Sequence, residues 1–265
     1  MKKNTSEHNN TRNTNPLYIA YNSGILPECR AKWNKKGNIK LGNMWTFSTL
    51  YGQRFHFIEK LNAEIAGTCG KHCEGCEGLC YVASSYRYPS VKLGHARNTL
   101  AIRQDIKKAG DDLNGYIDRA RKKPAVIRFD QSGEIESNEE LEMFCDIARK
   151  HPNIEMYVYT KAYDIIVPAL LAGRVPLNLI VNISIWHLYG IKEYLKVCHL
   201  PNVRAFVVVD EEWTRERYAK HGIIIQAMCP AYDERGHLNH EKPCIECGLC
   251  FRQGIAVKVT GCYEH

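Results

Sequence analysis

Apolar and polar positions recur in a fixed order over the second half of the chain. Ala125-Val-Ile-Arg-Phe129 is a compact apolar run ended by Ser132-Gly133, the pattern of a strand and its turn. Residues 139–150 follow with helical spacing, and Ser137 or Asn138 stands where an N-cap belongs. The unit then repeats. Strands are predicted over 154–160, 177–186, 203–210 and 223–228, with helices over 164–172, 191–198 and 214–220 between them. The strands are nearly continuous Ile, Val and Leu, as in sheets covered on both sides or closed into barrels. Alternation with connections this short implies parallel strands and right-handed crossovers.

The first half is less regular. Residues 17–21 read as a short strand, 37–42 as turn, strand and turn, and 44–48 as a β-rich segment. Phe57, Ile58, Leu61 and Ile65 are spaced for a short helix over 55–65. Residues 97–122 look helical, with Leu100, Ile102, Ile106, Leu113 and Ile117 as the apolar stripe and a break near Gly110-Asp-Asp. The expected fold is α/β, a partial parallel βα barrel of about six strands; a flavodoxin-like open sheet is the alternative. Residues 1–15 are expected to be a disordered polar tail and 16–228 a barrel-like domain carrying a cysteine loop over 69–80. Residues 229–265 are expected to be a cysteine-rich C-terminal segment.

Composition narrows the function classes. A chain of 265 residues, 45% hydrophobic and 25% charged, is that of an ordinary globular protein. No apolar run approaches the roughly 18–20 residues of a membrane span, and residues 1–15 have no signal-peptide core, so a cytoplasmic protein with no membrane partner is expected. The net charge of +7 permits an anionic partner such as nucleic acid without requiring one. Phosphate-loop, dinucleotide-binding and serine-hydrolase signatures are missing, which disfavours those enzymes.

Cysteine changes the picture most. Eight of the twelve cysteines fall in two groups, which favours metal binding over disulfides. Cys69, Cys73, Cys76 and Cys80 lie within one short loop, which can aim several thiolates at one point. Cys69, Cys73 and Cys76 have the C-x3-C-x2-C spacing of radical S-adenosylmethionine enzymes, which hold a 4Fe–4S cluster on three thiolates and leave one iron open for the cofactor. Those enzymes usually carry an aromatic residue where this chain has Gly75. If Cys80 ligates as well, no iron is open; a zinc ion on four thiolates is the alternative. The second group is Cys229-Pro230 with Cys244, Cys247 and Cys250. Its C-x2-C-x2-C run resembles a bacterial ferredoxin loop and suits a second 4Fe–4S cluster, with zinc as the rival because His237 and His240 share the loop. Cys29, Cys145, Cys198 and Cys262 read as small buried hydrophobes or free thiols.

In parallel α/β folds ligands bind at the carboxyl ends of the strands. Those ends carry Asp130-Gln-Ser132-Gly133-Glu134, Tyr159-Thr160-Lys161, Asn182-Ile-Ser184-Ile-Trp186-His187, and Asp210-Glu211. By the same likeness, Ser132, Gly133 and Glu134 would receive the ammonium of S-adenosylmethionine. Lys161 would pair its carboxylate, and Asn182 or Ser184 would bond the ribose. Helix capping is an equal reading for Ser132, Thr160 and Asp210 taken singly.

With these pieces laid out, the chain resembles the phage gene product 88 family, regarded as related to radical S-adenosylmethionine enzymes. The resemblance rests on Lys40-Leu-Gly42, Trp45-Thr-Phe-Ser48, Thr68-Cys69 through Cys80-Tyr81-Val-Ala83, Ser132-Gly133-Glu134, Tyr159-Thr160-Lys161, Cys229-Pro-Ala and Cys247-Gly-Leu-Cys250. The chain departs from the family's more frequent Cys-Pro and Ser-Gly-Asp, having Cys69-Gly70 and Ser-Gly-Glu instead. The resemblance implies an iron–sulfur protein and names no substrate; together with the cysteine spacing and the strand ends, the expectation is an enzyme that cleaves S-adenosylmethionine, fed by a donor such as flavodoxin or ferredoxin. The alternative is a non-catalytic iron–sulfur or zinc protein holding nucleic acid on the Tyr/Arg run that follows Cys80.

Overall fold

The computed structural model describes residues 18–20, 26–35, 41–70, 76, 78, 80–231, 233 and 243–263. In chain order the strands are β1 (Tyr18–Ala20), β2 (Trp45–Thr46), β3 (Phe55–Ile58), β4 (Ala63–Ala66), β5 (Val126–Phe129), β6 (Glu155–Thr160), β7 (Leu179–Ile185), β8 (Val203–Val209), β9 (Ala227–Met228) and β10 (Val259–Tyr263). The helices are α1 (Val82–Ser85), α2 (Pro89–Gln104), α3 (Ile106–Asp118), α4 (Asn138–Lys150), α5 (Tyr163–Leu171), α6 (Ile191–Val197), α7 (Arg215–Lys220) and α8 (Cys244–Cys247).

The spine is a seven-stranded sheet in the order β2-β5-β6-β7-β8-β10-β9. Every neighbouring pair in it is parallel. β2 and β9 are its edges, and no pairing among the described residues joins them into a closed barrel. The repeating strand–helix units appear where the periodicity places them, and Ser137 caps α4 by accepting from the Glu140 N–H at 3.1 Å. The strand count is seven rather than about six. The extra strand is β10, which enters from the cysteine-rich C-terminal segment and lies between β8 and β9. Val259-Thr-Gly-Cys-Tyr263 gives little strand signal, because an interior glycine weakens it.

Two other expectations are corrected. Residues 55–65 form no α-helix; they are the hairpin of β3 and β4, which with β1 makes a separate antiparallel sheet. His56 and Ile58 are buried while Phe55 and Phe57 face out, which is a strand's period of two. Asn62, at φ +44°, turns the chain back in a left-handed conformation that no helix interior tolerates. The expected helix over 97–122 is two helices, and the break is at Asp105 rather than Gly110. Asp105 is extended and its carboxylate accepts from the Lys108 N–H at 2.9 Å, which starts α3. The tail over 1–15 and residues 37–40 of the turn, strand and turn expected over 37–42 lie outside the described residues.

Period two along the parallel strands divides the chemistry. Ile127 and Phe129, Met156 and Val158, Leu179, Val181 and Ile183, and Val203, Ala205 and Val207 share one large core with the helices. Phe144 of α4 stacks on Phe129 at 4.2 Å between ring centroids. The alternate residues face away from that core. There Val126, Tyr157 and Ile180 pack with Leu41, Met44 and Phe251, so the segment before β2 and the C-terminal cysteine loop cover this face. Farther along the same strands this face carries Arg128, Tyr159, Lys161, Ser184, Phe206, Thr260 and Cys262.

Gly67, at the end of the hairpin, sits where a Cβ would lie 2.2 Å from the Tyr51 carbonyl and 2.3 Å from the Gly52 carbonyl. Both are backbone atoms and cannot swing aside. Gly67→Ala is expected to lower unfolding free energy by about 1–3 kcal/mol, the usual cost of overpacking, in chemical denaturation monitored by far-UV circular dichroism.

Candidate functional site

A cavity of about 850 Å³ opens on the face that the helices leave uncovered. Cys69, Cys76 and Cys80 of the first group and Cys229, Cys244, Cys247 and Cys250 of the second line it. Two cysteine groups more than a hundred residues apart in the chain therefore meet at one space. Cys73, like His237 and His240, lies outside the described residues. Cys262 of β10 lines the same wall. Sequence reading classed it with the scattered thiols, and the signal that would have separated it is the period-two position of a strand that was not recognised. Cys29 and Cys145 are buried in the large core, and Cys198 packs against it. Among the described residues no three Cys, His, Asp or Glu side chains close on a single point as one metal ion requires.

The first loop is held at its root. Thr68 Oγ1 donates to the Leu50 carbonyl at 3.0 Å and accepts from the Glu134 N–H at 2.9 Å. Cys69 N–H donates to the Gly52 carbonyl at 3.0 Å. Ser132 pairs with Thr49 through its hydroxyl at 2.9 Å and its carbonyl at 2.9 Å. Gly133 has φ +90°, and a Cβ there would lie 1.8 Å from Thr49 Oγ1 and 2.6 Å from Thr68 Oγ1, so the turn admits only glycine. The Glu134 carboxylate then reaches across to β6. It accepts from Thr160 Oγ1 at 2.7 Å, the Lys161 N–H at 2.6 Å and the Ile135 N–H at 3.0 Å. Lys161 completes the circuit, its Nζ donating to Cys76 Sγ at 3.0 Å.

The second loop is held from the sheet. Asn182 donates to the Cys250 carbonyl at 3.0 Å, and the Arg204 guanidinium donates to the carbonyls of Leu249 and Arg252. Cys229 follows β9 directly, its N–H donating to the Gly261 carbonyl at 2.7 Å. Of the residues expected to meet the cofactor, Ser132, Gly133, Glu134, Lys161 and Ser184 line the cavity, whereas Asn182 stands behind Cys250. Ser132, Glu134 and Lys161 also build the cavity wall, work that residue type alone does not reveal. Burial raises the thiol pKa of Cys69 and Cys80, and raises that of Cys250 to about 12. Thiols so placed bind metal by releasing protons.

The rim is aromatic and basic. Tyr81 and Tyr88 are exposed, and Arg87 stacks over Tyr88 at 5.0 Å. Beside the ends of β7 and β8, His187 Nε2 lies 2.6 Å from Asp210 Oδ2 and its ring stacks on Trp213.

The family model described as Gene product 88 matches residues 28–253, which takes in the sheet up to β9 and both cysteine groups. The chain belongs to the gene product 88 family. No curated protein and no solved structure matches it.

At the edge of the cavity, which Asp130 lines, this gene product 88 protein keeps an acid pair; sequence reading named Asp130 as a strand-end residue and missed Glu140. Asp130, at φ +44° past the end of β5, has both carboxyl oxygens buried without a hydrogen-bond partner among the described residues, as is Oε1 of Glu140 on α4. Burial raises both pKa values; the like charge of Glu140 raises that of Asp130 further, and Glu136 and Glu134 raise that of Glu140. Between the carboxylate values of an unfolded chain, about 4, and these raised values the folded state binds more protons than the unfolded one. Stability is therefore greatest at the acid end of that window and falls as pH rises through it. Guanidinium midpoints of the wild type are expected to drop from pH 5.5 to pH 8, and those of Glu140→Gln to drop less. Parallel pH profiles for the two proteins would contradict the assignment.

Proposed function

We propose that this gene product 88 protein is an iron–sulfur enzyme of radical S-adenosylmethionine type, with the sheet forming the partial barrel of that class. The observation that carries the reading is the convergence of both cysteine groups, the Gly133-Glu134 turn and Lys161 on one cavity at the carboxyl ends of parallel strands. The donor set fits: its soft thiolates select iron–sulfur clusters or zinc, and the thiols interact within each group, Cys69 with Cys76 and Cys80, and Cys250 with Cys229, Cys244 and Cys247. Cys69, Cys73 and Cys76 would hold the catalytic 4Fe–4S cluster, and Cys229, Cys244, Cys247 and Cys250 a second cluster or zinc. When bound, a reduced cluster with an open iron supplies the electron that cleaves a carbon–sulfur bond of S-adenosylmethionine and starts radical chemistry on a substrate.

The chain's own residues do the rest. Lys161, with its ammonium against Cys76, fixes that thiol and offers positive charge to a carboxylate beside it. Glu134 keeps the ends of β5 and β6 in register, and its free lone pairs face an ammonium group. Ser184 presents its hydroxyl to the cavity for a sugar. The aromatic wall of Tyr157, Tyr159 and Phe206 excludes water. Cys80 accepts the backbone N–H groups of Val82 and Ala83 at its sulfur; in this reading it would stand aside from the first cluster, so that one iron stays open to the cofactor.

Anaerobically reconstituted, dithionite-reduced protein is expected to convert S-adenosylmethionine to methionine and 5′-deoxyadenosine. Cys76→Ser is expected to lose this activity by more than about a hundredfold, while Cys80→Ser retains both iron and turnover. No cleavage with the iron intact, or equal loss of iron in both variants, would refute the open-iron reading.

The exposed Tyr81, Arg87 and Tyr88 at the rim favour a second reading, a non-catalytic metal protein that stacks single-stranded nucleic acid. It predicts salt-sensitive binding of oligonucleotides without cofactor cleavage.

A further inference from the structure

Two of the buried arginines near the sheet and the cysteine segments are accounted for by protein partners. Arg103 is bidentate to Glu136 at 3.0 and 2.6 Å and donates to the Ala66 and Gly67 carbonyls. Arg204 holds the second cysteine loop. Arg128 is different. It lies on β5 facing the cavity, its guanidinium 4.7 Å from the Tyr159 ring centroid and 5.9 Å from that of Tyr157. Its Nε is buried with no hydrogen-bond partner, and no described residue forms an ion pair with it. Tyr81 of the first cysteine segment, Cys244 of the second and the Asp130 carboxyl are within electrostatic reach, and Arg128 lines the same cavity as both cysteine groups.

A planar cation with five N–H donors stays charged at any working pH, and keeping it out of bulk water is costly unless an anion or acceptors meet it. Aromatic stacking fixes the plane of the fork and offsets part of that cost, but it satisfies no N–H. The cavity that Arg128 lines is walled by Tyr157, Tyr159, Trp186, Phe206 and Phe251. We propose that Arg128 is the receptor for a small oxyanion, a carboxylate or phosphate group carried on an apolar or aromatic body, which occupies the cavity between the two cysteine groups. Naming that molecule the substrate rests on the radical-enzyme reading; the anion site itself rests on Arg128 alone. Lys161 is engaged at Cys76, so the two cations divide the work, one beside the first cysteine group and one across the cavity.

Isothermal titration of the anaerobically purified, metal-loaded protein tests this with three probes of one shape: phenyl phosphate, benzoate and benzamide. At least one anion is expected to bind about tenfold or more tightly than neutral benzamide, the factor a charge-assisted hydrogen bond provides. The tighter anion identifies phosphate or carboxylate as the natural group. Arg128→Met is expected to abolish the preference while leaving benzamide binding and metal content unchanged. Arg128→Lys, which keeps the charge and loses the fork, is expected to retain part of it and guards against a folding defect in the methionine variant. Anions that bind no better than benzamide, or equally well to Arg128→Met, would overturn the proposal. Loss of metal in Arg128→Met with anion binding unchanged would assign Arg128 to the charge of a metal centre instead. Competition between S-adenosylmethionine and the anions would make it a cofactor carboxylate receptor and refute the substrate site. Absence of cofactor cleavage alone, with anion preference intact, would overturn the radical reading and leave the anion site standing.

Discussion

The Thr68 hydroxyl is the joint on which the cavity depends. It donates to the Leu50 carbonyl and accepts from the Glu134 N–H, so the residue just before Cys69 is fastened to the turn after β5. From that turn the Glu134 carboxylate runs to the end of β6, and Lys161 returns to Cys76. The circuit starts and ends on the first cysteine loop. It also crosses two strands of the sheet, so Thr68 and Cys76 at the two ends of the circuit are tied to the fold. Buried, satisfied polar networks of this kind specify geometry more than they add stability, because each member would be costly if left alone.

A sheet clothed in helices on one face frees the other for chemistry. One set of alternate strand residues is aliphatic and sealed under the helices. The opposite set is aromatic, basic and thiol-bearing, and it is covered by loops that carry the short helices α1 and α8. Those loops are the two cysteine segments and the stretch before β2. Inserting β10 between β8 and β9 anchors the far end of the second cysteine segment in the sheet and brings a further thiol, Cys262, to the wall. Proposed cluster, cofactor and substrate sites thus share one surface, and Asp130 of the buried acid pair lies at its edge.

Much of this was legible in the residues. Strands β5 to β8 and their helices follow from periodicity, since each buries a full apolar face. The two cysteine groups follow from spacing. What did not follow was set by contacts distant in sequence. β10 is five residues with a central glycine and gains strand character only from β8 and β9 on either side. The β3–β4 hairpin has helix-like apolar spacing, and its pairing with β1 prevailed over that spacing. Asn182 reads as a ligand residue and serves as a strut under Cys250. Arg128 reads as an ordinary strand residue, and only its unpartnered place in the cavity distinguishes it.

The central claim is that this cavity exists to hold iron–sulfur clusters. Iron, acid-labile sulfide and zinc counted on anaerobically purified protein test it most directly. About four irons per chain with matching sulfide for one cluster, or about eight for two, is the predicted result. Zinc alone, with no sulfide, would contradict it.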